Sequence, residues 1–355
     1  MGLSILNRYI LKRTAVFITI VVLAIGGLLL VMGVADEISR RGSETYTPFD
    51  AFLYRLYSLP LEVYQFIGPM VLLGTLLSVA GMAKNSELVV IQLASRSAYG
   101  LVVRLILPGL MLLPIVYFIG EWAAPQLRLQ AEVTRAMKLD RSLPTLSGQW
   151  YRDNQWVINV DLVSPDRDIT GLTIFEMDDR NNLAMVTFAP TASPIDQGWQ
   201  LNNVKQVTFL DDSVQHSNFE TLNWRPANFN ADLLSILSQR ERELTLQQLW
   251  VQVRFSLEQA LPDPRLELTF WSRLWFPVQY IAMLFLALVF SFGSFRQKTL
   301  GDAAFKGVAL AIAVQLVTDT TGSLLMVMGL TPVLAALAPS LLFLGVTVWL
   351  VKARL

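Results

Sequence analysis

Hydrophobic positions along this chain follow two different regimes. In six stretches apolar residues run on almost without interruption: Thr14 to Ala35, Val63 to Ala83, Leu105 to Gly120, Leu274 to Phe295, Phe305 to Leu330 and Pro332 to Val351. A hydrocarbon core about 30 Å thick needs roughly 20 apolar residues in a helix, because backbone polar groups inside lipid must be satisfied within the segment. The pattern therefore predicts six transmembrane helices, three before and three after the middle of the chain. The third is the shortest and carries Pro108 and Pro114.

Between the third and fourth stretches the pattern changes to period-two alternation in short runs: Gln155 to Val163, Ile169 to Met177, Leu183 to Ala189, Trp199 to Leu210 and Val214 to Trp224. Ser164-Pro165-Asp166, Asp178 to Asn182, Pro190 to Gly198 and Asp211-Asp212 separate them, as turns would. Alternation with this punctuation predicts an antiparallel all-β domain of sandwich or jelly-roll type. Gln126 to Leu139 and Leu246 to Gln259 read as flanking helices, and Pro262-Asp263-Pro264 ends the second. The expected fold is a polytopic α-helical membrane protein: residues 1–125 hold helices 1 to 3 with a cytoplasmic helix at 84–97, residues 126–265 a periplasmic β-jelly-roll domain, and residues 266–355 helices 4 to 6. Trp156, Phe175, Phe188, Trp199, Phe209, Phe219 and Trp224 are its aromatic bodies, for a core or for a groove that takes acyl chains.

Charge adds an orientation. Arg8, Lys12, Arg13, Lys84, Arg96, Arg104, Arg296, Lys298, Lys306, Lys352 and Arg354 fall on one side of the predicted membrane, against only Glu87 and Asp302. By the positive-inside rule that side, with both termini, is cytoplasmic, and Glu121 to Arg273 faces outward. Over all 355 residues, 28 basic and 28 acidic side chains cancel, which removes any global attraction to nucleic acid. Hydrophobic residues make up 53% and charged ones 16%, outside the usual range of about 45–50% and about 25% for soluble domains.

Composition also narrows the chemistry. With no Cys and one His, thiol nucleophiles, Cys-ligated metals and most catalytic constellations lose a member. His216 sits in a polar strand context and is expected to face solvent. No P-loop, nucleophile elbow or H-E-x-x-H helix occurs, so ATP hydrolysis or another intrinsic reaction is not expected of this chain, nor is a bound metal or cofactor. Asp319 is the one carboxylate inside a predicted span, on a face with Gln315, Thr318, Thr320, Thr321 and Ser323. An ionisable group at that depth marks either a proton relay or a polar contact to another helix or a wet cavity.

After the second span, the loop Ala83 to Ser97 reads as holding a short amphipathic cytoplasmic helix (84–97), with Ser86 or Asn85 as cap and Glu87 at the positive end of its dipole. Such a helix either lies on lipid or docks into a separate ATPase. Three motifs bear on this choice: Ser86-Glu87-Leu88-Val89-Val90, Gly120-Glu121-Trp122-Ala123-Ala124-Pro125-Gln126 and Leu6-Asn7-Arg8-Tyr9-Ile10. Together they resemble the lipopolysaccharide export permeases of the LptF/LptG family, and the second has the form of the LptG branch.

The resemblance implies the transmembrane half of an ABC exporter, paired with LptF, driven by two copies of the ATPase LptB, which binds the ATP and Mg, and joined by LptC. It implies that Ser86, Glu87, Leu88 and Ile91 form the coupling helix, with Glu87 meeting the ATPase groove and Leu88 and Ile91 as apolar contacts. It also implies that basic residues at the outer rim hold the phosphates of lipopolysaccharide: Arg40, Arg41 and Arg135, with Arg128. Bidentate arginine contacts suit that ligand. An LptF-type paralogue, a proton-coupled lipid carrier using Asp319 and a scaffold that recruits partner sheets by edge-strand addition are the alternatives.

Overall fold

A computed structural model of the chain describes residues 5–39, 46–95, 98–139, 149–163, 168–178, 182–196, 198–210, 213–226, 228–230, 233–234, 243–258, 262–294 and 300–352. Its contacts separate into a helical unit (Met1–Ser39, Arg55–Leu127, Glu267–Leu355) and a β unit (Arg40–Tyr54, Arg128–Leu266).

Helices in chain order are α1 (Ile5–Ser39), α2 (Pro48–Lys84), α3 (Glu87–Ala94), α4 (Ala98–Phe118), α5 (Ala124–Lys138), α6 (Leu246–Glu258), α7 (Pro264–Leu274), α8 (Phe276–Ser294), α9 (Leu300–Val327) and α10 (Pro332–Lys352). A π-helical turn, Ile119–Ala123, joins α4 to α5. Among the described residues, five runs are each long and apolar enough to cross a membrane, and α7 with α8, bent by 58°, supplies a sixth. The 35 residues of α1 span about 52 Å, well beyond the hydrocarbon, so its ends reach water on both sides.

α2 is the central helix of its unit. Of its apolar stretch 83% is buried, against 17% for α1. Met70, Val71 and Leu73 pack with Ile10 and Ile18 of α1, Leu105 of α4 and Leu284 of α8 in one cluster. Leu72 and Leu76 pack with Met283 of α8, Val314 of α9 and Phe343 of α10 in another. Lipid is as apolar as leucine, so close backbone approach and interhelical hydrogen bonds must hold such helices together. Gly74 provides the first: a Cβ there would lie 2.6 Å from the Cα of Ile18. Thr14 and Ser78 provide the second, their buried hydroxyl oxygens 3.0 Å apart.

The β unit contains β1 (Gln149–Asp153), β2 (Trp156–Val163), β3 (Ile169–Met177), β4 (Leu183–Ile195), β5 (Gly198–Leu210) and β6 (Ser213–Trp224), all antiparallel and in sequential order in one sheet. A polytopic helical protein with an inserted antiparallel β domain is thus what the pattern predicted. The strand order is that of a meander, because every link between these strands is a short hairpin and none is long enough for a Greek-key crossover.

β4 runs on through Pro190, where a break was predicted, to Ile195. Proline removes a ladder donor, and the sheet absorbs the loss along one transverse row. Asp161, Gly171, Pro190, Asn203 and Glu220 all lack partners in the ladders across this row, and between β4 and β5 the gap extends to Ala189 and Val204. Gly171 and Asn203 adopt left-handed φ values of 71° and 54° there, as bulge residues that bend their strands do. Ile158, Val160, Leu172, Ile174, Trp199 and Leu201 form the core on one side of the sheet. Trp199 and Trp224 are core residues, whereas Phe188, Phe209 and Phe219 remain exposed.

β1, too short and polar to be read from alternation, is held by its last residue. The fully buried carboxylate of Asp153 accepts hydrogen bonds from the backbone of Asn228 (2.9 Å) and Phe229 (3.2 Å) and from the Asn228 amide (3.2 Å). These bonds pin the segment after β6 against the other end of the sheet.

Candidate functional site

The C-terminal end of α2 turns at Asn85 and Ser86, and Ser86 takes a left-handed φ of 60°. Its hydroxyl makes no capping bond, so the predicted serine cap is replaced by other ties. Glu87, the first residue of α3, accepts hydrogen bonds from the Tyr9 hydroxyl (2.7 Å), from the Asn85 amide (3.1 Å) and from the Arg13 guanidinium. Partial burial pulls the Glu87 carboxyl upward, but the bonds from Arg13, Tyr9 and Asn85 outweigh it and hold the carboxyl below its ordinary range. The residue expected to point at a partner is anchored to α1 within this chain.

The apolar side chains of α3 are arranged opposite to expectation. Ile91 is 2% exposed and Leu88 packs beside it in the core that contains Ile10. Both therefore face inward, and the outward apolar surface is Val89, Val90 and Leu93, which are 54%, 63% and 79% exposed. A helix of eight residues has only two turns, so the side that meets the bundle decides which leucine or valine is left for a partner. Ser95 closes the helix by bonding back to the carbonyl of Ile91 at 2.5 Å.

In the β unit Arg128 and Arg135 of α5 both lie over the ring of Tyr54. Their guanidinium carbons are 5.1 and 4.8 Å from the centroid of the Tyr54 ring. Glu132 sits between them: Arg128 reaches it at 2.7 Å, Arg135 at 3.7 Å, and the Tyr54 hydroxyl donates to it at 2.7 Å. Glu243 adds a second carboxylate 3.2 Å from Arg128. The two arginines thus share one ring and one carboxylate, with a second carboxylate on Arg128. Arg40 and Arg41 lie outside the described residues.

Sequence reasoning passed over Arg55. Its guanidinium is 3.2 Å from Glu62, 3.5 Å from Asp36 and 3.6 Å from the buried Glu37, binding the C-terminal part of α1 to α2. The signal was present as acids near the end of α1 and an Arg about two turns into α2, although spacing alone does not say which charges meet. Asp319 lies on an exposed face of α9 with Ile312 and Leu316, and the Gln315 amide donates to both of its oxygens at 3.1 and 3.0 Å. Thr318, one residue earlier, accepts instead from Gln279 of α8 at 3.1 Å. His216 is exposed on β6.

Taken with this geometry, comparison with known proteins is consistent from end to end. The chain is 29% identical over 358 residues to the lipopolysaccharide export system permease protein LptG of Haemophilus influenzae strain Rd, covering 99% of each sequence. It is 27% identical over 357 residues to the LptG proteins of Escherichia coli K12 and Escherichia coli O6:H1, again covering 99% of each. The model of the lipopolysaccharide export system permease LptF/LptG family matches residues 8–353, and the chain belongs to that family.

Proposed function

We propose that this chain is the LptG-type permease subunit of an inner-membrane exporter that extracts lipopolysaccharide and passes it to a periplasmic bridge. Family membership over residues 8–353 carries this reading, since it takes in the helices and the inserted β domain together. In it the chain catalyses nothing itself. ATP and Mg are bound by an LptB-type ATPase in two copies, an LptF-type subunit completes the membrane cavity, and an LptC-type partner joins the complex. Both termini and α3 are cytoplasmic, and the sheet is periplasmic.

Physical features of the chain support these roles. α3 presents Val89, Val90 and Leu93 to the outside while Ile91 and Glu87 fasten it to α1, so a partner that grips the outer face pulls on the bundle. Arg128 and Arg135 are close enough to act on one polyanionic headgroup, with Arg40 and Arg41 proposed at the same rim and Glu132 and Glu243 as the carboxylates a phosphate must outcompete. Asp319 is proposed as a polar helix contact. The test is reconstitution of the chain with its co-purifying partners in liposomes containing lipopolysaccharide. ATP-dependent release supports the reading, and release driven by a pH gradient with no ATPase present overturns it.

A further inference from the structure

On either side of the segment Arg128–Leu266, the helical unit's own chain is broken by a proline, and the residue four positions before each proline bears a charge. Pro125 follows Glu121 and Pro277 follows Arg273. A helical proline cannot donate to the carbonyl four residues back and its ring crowds that carbonyl. On the outgoing side the ladder widens into the π-helical turn Ile119–Ala123, closed by the Ala124 N–H on the carbonyl of Ile119. On the returning side the helix breaks at Trp275 and α7 and α8 diverge by 58°.

The two broken turns meet through their charged residues. Arg273 approaches Glu121 at 3.6 Å, and the two side chains are 11% and 12% exposed. The Tyr64 hydroxyl of α2 donates to the other oxygen of Glu121 at 2.9 Å. Gly120 lets the π turn lie against Tyr64, since a Cβ there would fall 2.1 Å from the ring. Phe276 packs on Tyr64 with ring centroids 5.0 Å apart and stacks on Tyr117 at 6.3 Å.

We propose that Glu121 and Arg273 are positioning residues for export: their ion pair, seated on Tyr64, binds the outgoing and returning crossings into one base, so that movement of the bundle reaches α5 and α7 as a single displacement. Two proline-broken turns are each free to bend, and a charged tie between them makes them bend together. The transport part of this inference rests on the export reading above, whereas the tie itself can be tested without lipid.

Because the chain has no Cys, spin labels placed through Trp122→Cys and Ser272→Cys report the tie directly. A narrow distance distribution is expected, broadened by Glu121→Gln and narrowed again when Glu121→Arg is combined with Arg273→Glu; equal widths in all three overturn the tie. In the reconstituted complex, Glu121→Gln and Arg273→Gln are expected to keep ATP hydrolysis within about twofold while lipopolysaccharide released per ATP falls about tenfold, a coupling of ordinary size, with recovery in the exchanged pair. Tyr64→Phe, which preserves the packing, is expected to give a smaller loss in the same direction. Full release by every variant overturns the proposal, as does an exchanged pair that hydrolyses ATP normally without recovering release. Absence of ATP-driven release in the unmodified complex counts instead against the export reading and leaves the distance measurement to decide the tie.

Discussion

Arg13 and Glu87 stand 74 positions apart in the chain and form an ion pair that ties the N-terminal part of α1 to the first residue of α3. Tyr9, one turn before Arg13, bonds to the same carboxylate at 2.7 Å. If a partner ATPase acts through α3, the first helix it moves is α1. Glu87→Ala should therefore lower stability by about 1–3 kcal/mol, the range for charged hydrogen bonds, and should separate ATP hydrolysis from lipopolysaccharide release. Thermal unfolding in detergent and release assays on the same preparation check both parts.

The same carboxylate sets a pH dependence. Its value in the folded chain is lowered, so the stability it adds is present above the ordinary glutamate value of about 4.3 and is lost as pH falls through the lower folded value. The α1–α3 tie should hold from pH 7 down to pH near 5 and weaken only in stronger acid. A label distance between α1 and α3, followed during acid titration, would show no change above about pH 5 on this account.

Opposite faces of α3 should respond differently to substitution. Ile91→Ala empties a buried position and should cost about 2–4 kcal/mol of folding stability, as other large-to-small core changes do. Leu93→Ser, on the exposed face, should leave the melting temperature of the isolated chain nearly unchanged and weaken retention of the ATPase during purification. The reverse pattern would mean that the helix docks by its other side.

The contact between α1 and α2 should tolerate no added volume at Gly74. Gly74→Leu would drive atoms into the backbone of Ile18, which unlike a side-chain tip cannot rotate aside. A fall in melting temperature larger than that for Gly27→Leu, where no atom lies within 4 Å, is the expected result.

In the β unit, Asp153→Ala leaves the buried backbone N–H of Phe229, and the N–H and amide of the exposed Asn228, without their acceptor and should cost about 1–3 kcal/mol. Hydrogen exchange should show residues 149–153 and 228–229 losing protection together, with the centre of the sheet less affected.

The legible parts of this protein were those written as continuous patterns. Uninterrupted apolar runs located the spans, and alternation located β2, β3, β5 and β6, because burial in lipid and on a sheet face each impose a period. Features that depend on what stands across a gap were not legible. Pro190 reads locally as a break, and only its neighbours Gly171 and Asn203 on adjacent strands show how the sheet carries it. Leu88 and Ile91 are apolar at the spacing a docking face would have, yet the bundle claims that side of the helix. Glu132 and Glu243 lie 111 residues apart in sequence, and nothing in either segment announces that both carboxylates would meet Arg128.

The central claim is that this subunit moves lipopolysaccharide with power taken from a separate ATPase. Proteoliposomes carrying the purified complex and labelled lipopolysaccharide, with a periplasmic acceptor outside, test it most directly. Transfer to the acceptor that requires both ATP and the ATPase, and that falls when the outward face of α3 is altered by Leu93→Ser, is the predicted result. Transfer by this chain without the ATPase would contradict it.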